Sequence, residues 1–141
     1  MSDVVVDSSV VAKWILPEAD SAQAQRVLAE TASRGERTVV LDLAYAEVAN
    51  AIWKRHHQGL ASAWEVRAFL DTLLRCPVHV EPARPLLVPA MEIAVKYQRA
   101  LYDALFLALA QHLATAGVTA DEPLYRAVHA DMPRVILLRD W

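Results

Sequence analysis

Five acidic residues stand where an acid needs a physical reason. Asp7 follows the apolar run VVV, Asp42 follows TVVL and Asp121 closes VTAD, while Glu47 lies inside LAYAEVANAIW and Asp103 inside ALYDALFLALA. A carboxylate in such surroundings is costly unless its charge is compensated. Each acid has a local explanation: Asp42 and Asp103 as helix N-caps, Asp7 and Asp121 as turn residues, and Glu47 as a partner of a helix dipole. Asp42 is read as a cap and left out. Capping gives no reason for the other four to occur together. Gathered at one place, Asp7, Glu47, Asp103 and Asp121 would repel one another, so a divalent cation must neutralise them or some carboxyls must stay protonated. No Cys pair and no neighbouring His accompanies them. An all-oxygen ligand set suits Mg²⁺ or Mn²⁺ rather than Zn²⁺. Ions held this way keep waters and bind phosphate oxygens, which is the chemistry of phosphoryl transfer or phosphodiester cleavage.

The elements that must position these acids are legible in the periodicity. Short β-branched runs at 4–6, 38–41, 78–80, 118–119 and 135–138 alternate with helical stretches. Apolar stripes at helical spacing (Ala24/Val27/Leu28, Val66/Leu70/Leu73/Leu74 and Ala90/Ile93/Ala94/Tyr97) mark helices with one wet face, whereas ALFLALA at 104–110 is apolar all round and predicts a buried helix. This alternation predicts one α/β domain over 1–141, with helices on both faces of a short, mostly parallel sheet and helix predominating. Functional groups of such sheets lie beyond the carboxyl ends of the strands. Asp7, Asp42 and Asp121 all leave strand ends.

Composition removes other classes. The chain has 141 residues and a net charge of −3, so nucleic-acid binding through a broad basic surface is excluded and any such role must be local. With only 3 glycines, neither GxGxxG nor a Walker loop can be written. Residues 104–120 carry no charge but contain Gln111, His112 and Gly117, too short and too polar a stretch to span a bilayer. The single Cys76 and the opening MSDVVVD, which lacks the form of a signal peptide, predict a reducing, cytoplasmic setting.

Four blocks, VVVDSSVVAKWILPE, LAYAEVANAIWKR, LYDALFLALAQHLA and VTADEPLYRAV, together resemble the PIN domain, in particular the VapC-type toxin ribonucleases of toxin–antitoxin pairs. The resemblance covers essentially the whole chain. It implies a three-layer α/β/α PIN-like fold and a Mg²⁺- or Mn²⁺-dependent endoribonuclease in which water attacks the phosphodiester. Asp7, Glu47, Asp103 and Asp121 match the family's acids, and Ser9 and Thr119 match positions that help hold the acidic pocket. It also implies an RNA substrate, a cognate antitoxin and a homodimer. In one departure, Glu122 follows Asp121 at once, where many PIN sequences place another acid slightly later, so Glu122 is the alternative to Asp121 as the fourth ligand.

Lys13, Lys54, Arg55, Lys96, Arg99 and Arg126 could line an RNA path, Lys13 and Lys54 first among them, since Lys54 lies two helical turns beyond Glu47. His56 and His57 read as surface residues, and the scattered histidines support no Ser/His/Asp triad. The four tryptophans read as core or interface residues, and the high apolar fraction leaves surface for a subunit contact or a partner helix. The alternatives are a non-catalytic PIN relative that only binds RNA or protein and a receiver-like phosphoacceptor. The receiver pattern needs an Asp after the third strand, where Glu81 and Pro82 follow instead, and a late Lys, although none occurs after Lys96.

Overall fold

The computed structural model describes residues 3–141 of the chain. Three consecutive valines form β1 (Val4–Val6), and β-branching suits them to a strand covered on both faces. It is the middle strand of a five-stranded parallel sheet, between β2 (Thr38–Leu41) and β4 (Ala116–Thr119), with β3 (His79–Glu81) and β5 (Val135–Leu137) at the edges. In the register, Val5 lies beside Val39 on one side and Gly117 on the other. One face of the sheet is covered by α1 (Ser8–Ile15), α2 (Ser21–Ser33), α3 (Leu43–His57) and α4 (Ala63–Arg75). The other is covered by α5 (Leu87–Tyr97), α6 (Leu101–Leu113) and α7 (Glu122–Val128). Val4, Val6 and Val40 point into the first core and Val5 and Val39 into the second, the period-2 alternation of a strand.

The expected three-layer architecture is therefore present, with differences of detail. β3 is displaced one residue toward the C-terminus from the expected 78–80, and β4 starts two residues before the expected 118–119. Ala116 and Gly117 are poor strand formers, but pairing with both β1 and β5 draws Gly117 into the sheet, as tertiary context commonly does. The α4 stripe also stops short: Leu73 is buried, whereas Leu74 is 72% exposed.

Asp42 stands at the N-cap position of α3, as its place in the sequence predicted, but its side chain does not cap the helix. Its backbone is already helical (φ −55, ψ −35), and its Oδ1 accepts from the Ala83 backbone N–H at 3.2 Å, which ties the start of α3 to the segment after β3. Asp103 is not a cap either, because α6 begins at Leu101 rather than after Asp103.

Helix α6 is buried on every side from Ala104 to Ala110 and lies close on β4. A Cβ added at Gly117 would stand 3.1 Å from both Ala110 Cβ and Phe106 Cζ. That approach sets the height of α6, and hence of Asp103, above the sheet. Gly117→Ala should therefore overpack this contact and cost roughly 1–3 kcal/mol, read as a lower denaturation midpoint at unchanged m-value. A midpoint equal to wild type would refute the close approach.

Candidate active site

Asp7 ends the central strand and is also the N-cap of α1, its Oδ1 accepting from the Val10 N–H at 3.3 Å. Ser9 Oγ donates to Oδ1 and the fully buried Thr119 hydroxyl donates to Oδ2. Those hydroxyls are held in turn by the end of β4: the Ala120 N–H donates to Ser9 Oγ at 2.9 Å, and the Asp121 N–H to Thr119 Oγ1 at 3.0 Å. Two short relays thus lock the carboxyl at the junction of adjacent strand ends. Desolvation dominates all three favourable contacts and pushes the Asp7 acid up to about 6, with the charge of Asp103 adding in the same direction.

Beyond β1 opens a pocket of about 30 Å³, enough for a small hydrated group, lined among others by Asp7, Ser8, Glu47, Tyr102, Asp103 and Phe106. Glu47 reaches it from α3 at an exposed rim, and Asp103 reaches it from α6, so the two helical acids arrive from opposite faces of the sheet. Partial desolvation raises the Glu47 acid, offset by a hydrogen bond with Ser8 and reinforced by the Asp103 charge. Asp103 is also raised, by desolvation first and then by the charge of Asp121, while Arg99 opposes the shift. Arg99 Nη2 stands 3.7 Å from Asp103 Oδ2, a long ion pair.

Asp121 does not line this pocket. It sits beside it as the N-cap of α7, its Oδ1 accepting from the Leu124 N–H at 3.1 Å, near enough for its charge to act on Asp103. Glu122 is engaged elsewhere: Arg126 Nη2 lies 2.5 Å from its Oε1 and Arg139 Nη2 lies 3.2 Å from the same atom. Two arginines thus hold Glu122, and Asp121 is the better-placed fourth acid.

Among the described residues, no three His, Cys, Asp or Glu side chains are grouped tightly enough to grip one ion as they stand. The donor set nevertheless fits a hard cation. It is all carboxylate, three of its acids are raised by burial and mutual charge, and one distant guanidinium is the sole basic group paired with it among the described residues.

The sequence pattern of the PIN domain matches residues 4–129. The chain belongs to the PIN-domain family. Ribonuclease VapC3 of Pyrobaculum aerophilum is 33% identical over 123 residues, covering 86% of this chain and 91% of that protein. Among solved structures, a Pyrobaculum aerophilum protein superposes at TM-score 0.72 with 22% identity, over 98% of this chain and 85% of that one. A toxin–antitoxin complex from Klebsiella pneumoniae gives 0.65 with 16% identity, over 96% and 98%. VapC20 of Mycobacterium tuberculosis, described as a toxin that cleaves the sarcin–ricin loop, gives 0.65 with 19% identity, over 89% and 95%. These likenesses show the PIN fold, and membership of the family sets the receiver-like alternative aside.

Some residues of this PIN domain escaped sequence reasoning. Ser8, which lines the pocket beside Glu47, hides inside DSS because only Ser9 follows the motif's hydroxyl position. Arg99, read from the sequence as a residue that could line an RNA path, instead pairs with Asp103 from just before the start of α6. Lys13 is corrected. Its ammonium lies 2.8 Å from Glu18 Oε2 and 3.9 Å from Asp20 Oδ2, and its side chain is only 13% exposed, so it is an internal ion-pair partner rather than an RNA contact.

The raised acids have a sign that can be measured. Between the usual carboxyl value of 3.8 and about 6, the native PIN domain keeps the Asp7 proton that the unfolded chain has lost. Stability should fall as pH rises through that window, by up to about 3 kcal/mol, and stay lower above it. Asp7→Asn should flatten much of the slope in denaturant titrations from pH 4 to pH 7. An identical slope in wild type and variant would show that Asp7 does not titrate this way.

Proposed function

We propose that this PIN-domain protein is an endoribonuclease that hydrolyses RNA phosphodiester bonds with Mg²⁺ or Mn²⁺, and that it serves as the toxin of a toxin–antitoxin pair. The observation that carries the reading is the pocket at the end of β1, lined by acids from the end of β1, α3 and α6 that burial and mutual charge raise, with Arg99 their one basic partner among the described residues. The similarity to ribonuclease VapC3 supports the substrate class, and the toxin–antitoxin relative supports the biological setting.

Asp7, Asp103 and Glu47, with Asp121 beside them, would hold the ion. Its chemistry when bound is to activate a water and stabilise the leaving oxygen. The chain's own residues do the positioning. Ser9 and Thr119 fix both Asp7 oxygens, and Arg99 restrains Asp103. Glu47, at the rim beside Ser8 with its acid raised, takes the proton of the attacking water on its carboxylate. The antitoxin is the proposed protein partner. The exposed apolar side chains Leu87, Val88, Met91 and Val95 along α5 suit a homodimer contact. The cytoplasm, where RNA and a reduced Cys76 coexist, is the proposed location. No helix among the described residues is long and apolar enough to cross a membrane.

A non-catalytic RNA- or protein-binding relative is the second reading. The wide spacing of the acids and the presence of Arg99 on Asp103 favour it. One experiment separates the two. With Mn²⁺, purified protein should cut end-labelled RNA into discrete fragments, and both EDTA and Asp7→Asn should lower the rate roughly 10²-fold or more. Cleavage that survives Asp7→Asn would be contamination, and RNA binding without cleavage would establish the second reading. Independently of turnover, millimolar Mn²⁺ at pH 7 should raise the melting temperature by about 3 °C in wild type and less in Asp7→Asn. An unchanged melting temperature in wild type would count against a metal site.

A further inference from the structure

A second, wider groove runs between α1 and α3, lined by Ser8, Ser9, Glu47, Asn50 and Lys54 among others, and it shares Ser8 and Glu47 with the acidic pocket. The two spaces therefore adjoin, with Ser8 and Glu47 lining both, and α3 runs from the acids along the groove. The basic residues around the pocket are mostly committed. Lys13 and Arg55 face Glu18, Arg99 faces Asp103, and Arg126 and Arg139 face Glu122. Among the described residues Lys54 has no acidic partner, and it lies in the groove about 10 Å along the helix from Glu47.

Next to it, Trp53 is 53% exposed and stacks on His57, with ring centroids 5.0 Å apart and planes 10° from parallel. At helical spacing Glu47, Asn50, Trp53, Lys54 and His57 fall on one contiguous stripe of α3. An exposed indole pre-stacked on an imidazole is an apolar surface of the shape that an unpaired base covers, and the adjacent ammonium carries the opposite charge to a backbone phosphate.

We propose that the α1–α3 groove is the path of the single-stranded RNA beside the cut, holding a backbone phosphate at Lys54 and a base on the outer face of the Trp53–His57 stack. The inference rests on the ribonuclease reading above and adds to it the direction of the strand. It makes Lys54 a sequence-independent anchor, because a phosphate looks the same at every nucleotide. It makes Trp53 a contact that tolerates any base.

The test measures binding of a fluorescent single-stranded oligoribonucleotide to the Asp7→Asn protein as a function of salt, with Lys54→Ala, Trp53→Ala and, as a control on the other side of the sheet, Lys96→Ala added to that background. Lys54→Ala should reduce the slope of log affinity against log salt by about 0.7. Trp53→Ala should weaken binding roughly tenfold and remove most of the tryptophan quenching that RNA causes. Lys96→Ala should do neither. Thermal melts check that each variant folds, and Trp53→Phe, which keeps a ring, should restore most of the affinity. Wild-type-like slope and affinity in folded Lys54→Ala and Trp53→Ala would overturn the groove assignment while leaving the ribonuclease reading intact. If those variants instead lost only a protein partner, the stack would be a protein contact and the proposal equally wrong. No RNA binding by the Asp7→Asn parent would overturn the groove assignment, while cleavage by the wild-type protein decides the ribonuclease reading separately.

Discussion

Keeping a carboxyl group at the desolvated end of the central strand is the constraint around which this molecule is arranged. Asp7 gains three hydrogen bonds and still has its acid pushed to about 6, so the loss of water outweighs everything the fold returns to it. The supporting features follow from that imbalance. Thr119 is fully buried for the sake of its hydroxyl, Ser9 turns back on the residue two before it, and the backbone just beyond β4 fixes both. Because β1 is the sheet's middle strand, this strained point lies between the two cores. The acids that join it come from both, Glu47 through α3 and Asp103 through α6. The molecule gives up stability where its two halves meet, which is how a site differs from a core.

The net charge of −3 conceals how the charges are spent. Most of the basic side chains near the pocket are held by acids outside it, and among the described residues the pocket acids have only the long contact from Arg99. A locally negative hole in a surface of internally balanced ion pairs attracts a small cation more than it attracts a polyanion. Contact with a polyanion must then rely on what remains free, and Lys54 stands out on that ground.

Much of this was readable in advance because two periodicities, 2 and 3.6, locate strands and helices independently of any site. The valine run at β1 and the all-apolar centre of α6 could be read directly, whereas the acids following β1 and β4 also had local readings as turn residues. What escaped depended on partners distant in sequence. Asp42 looked like a cap because it precedes a helix, and nothing local announces Ala83 as the group it binds. Lys13 looked free because Glu18 and Asp20 meet it only after the chain turns at the end of α1. The limits of β3 and β4 shifted because pairing, rather than residue preference, decides where a strand begins. Asp121 was expected to join the other acids in one pocket, yet it caps α7 and stays outside the pocket lining, a distinction that sequence spacing cannot express.

The strand order carries a consequence for how the protein is made. β1 pairs with β2 early in the chain, but its other neighbour, β4, is the fourth strand to leave the ribosome. Chains are made at about 5–20 residues per second, so for some seconds the middle strand has one bare edge and Asp7 lacks Thr119. A nascent or truncated chain ending before β4 therefore has Glu47 and Asp103, but its Asp7 keeps only the local bonds from Ser9 and Val10 and lacks the one from Thr119. The clamp on Asp7 is completed late in synthesis, and copies of the protein ending before β4 are made without its Thr119 half.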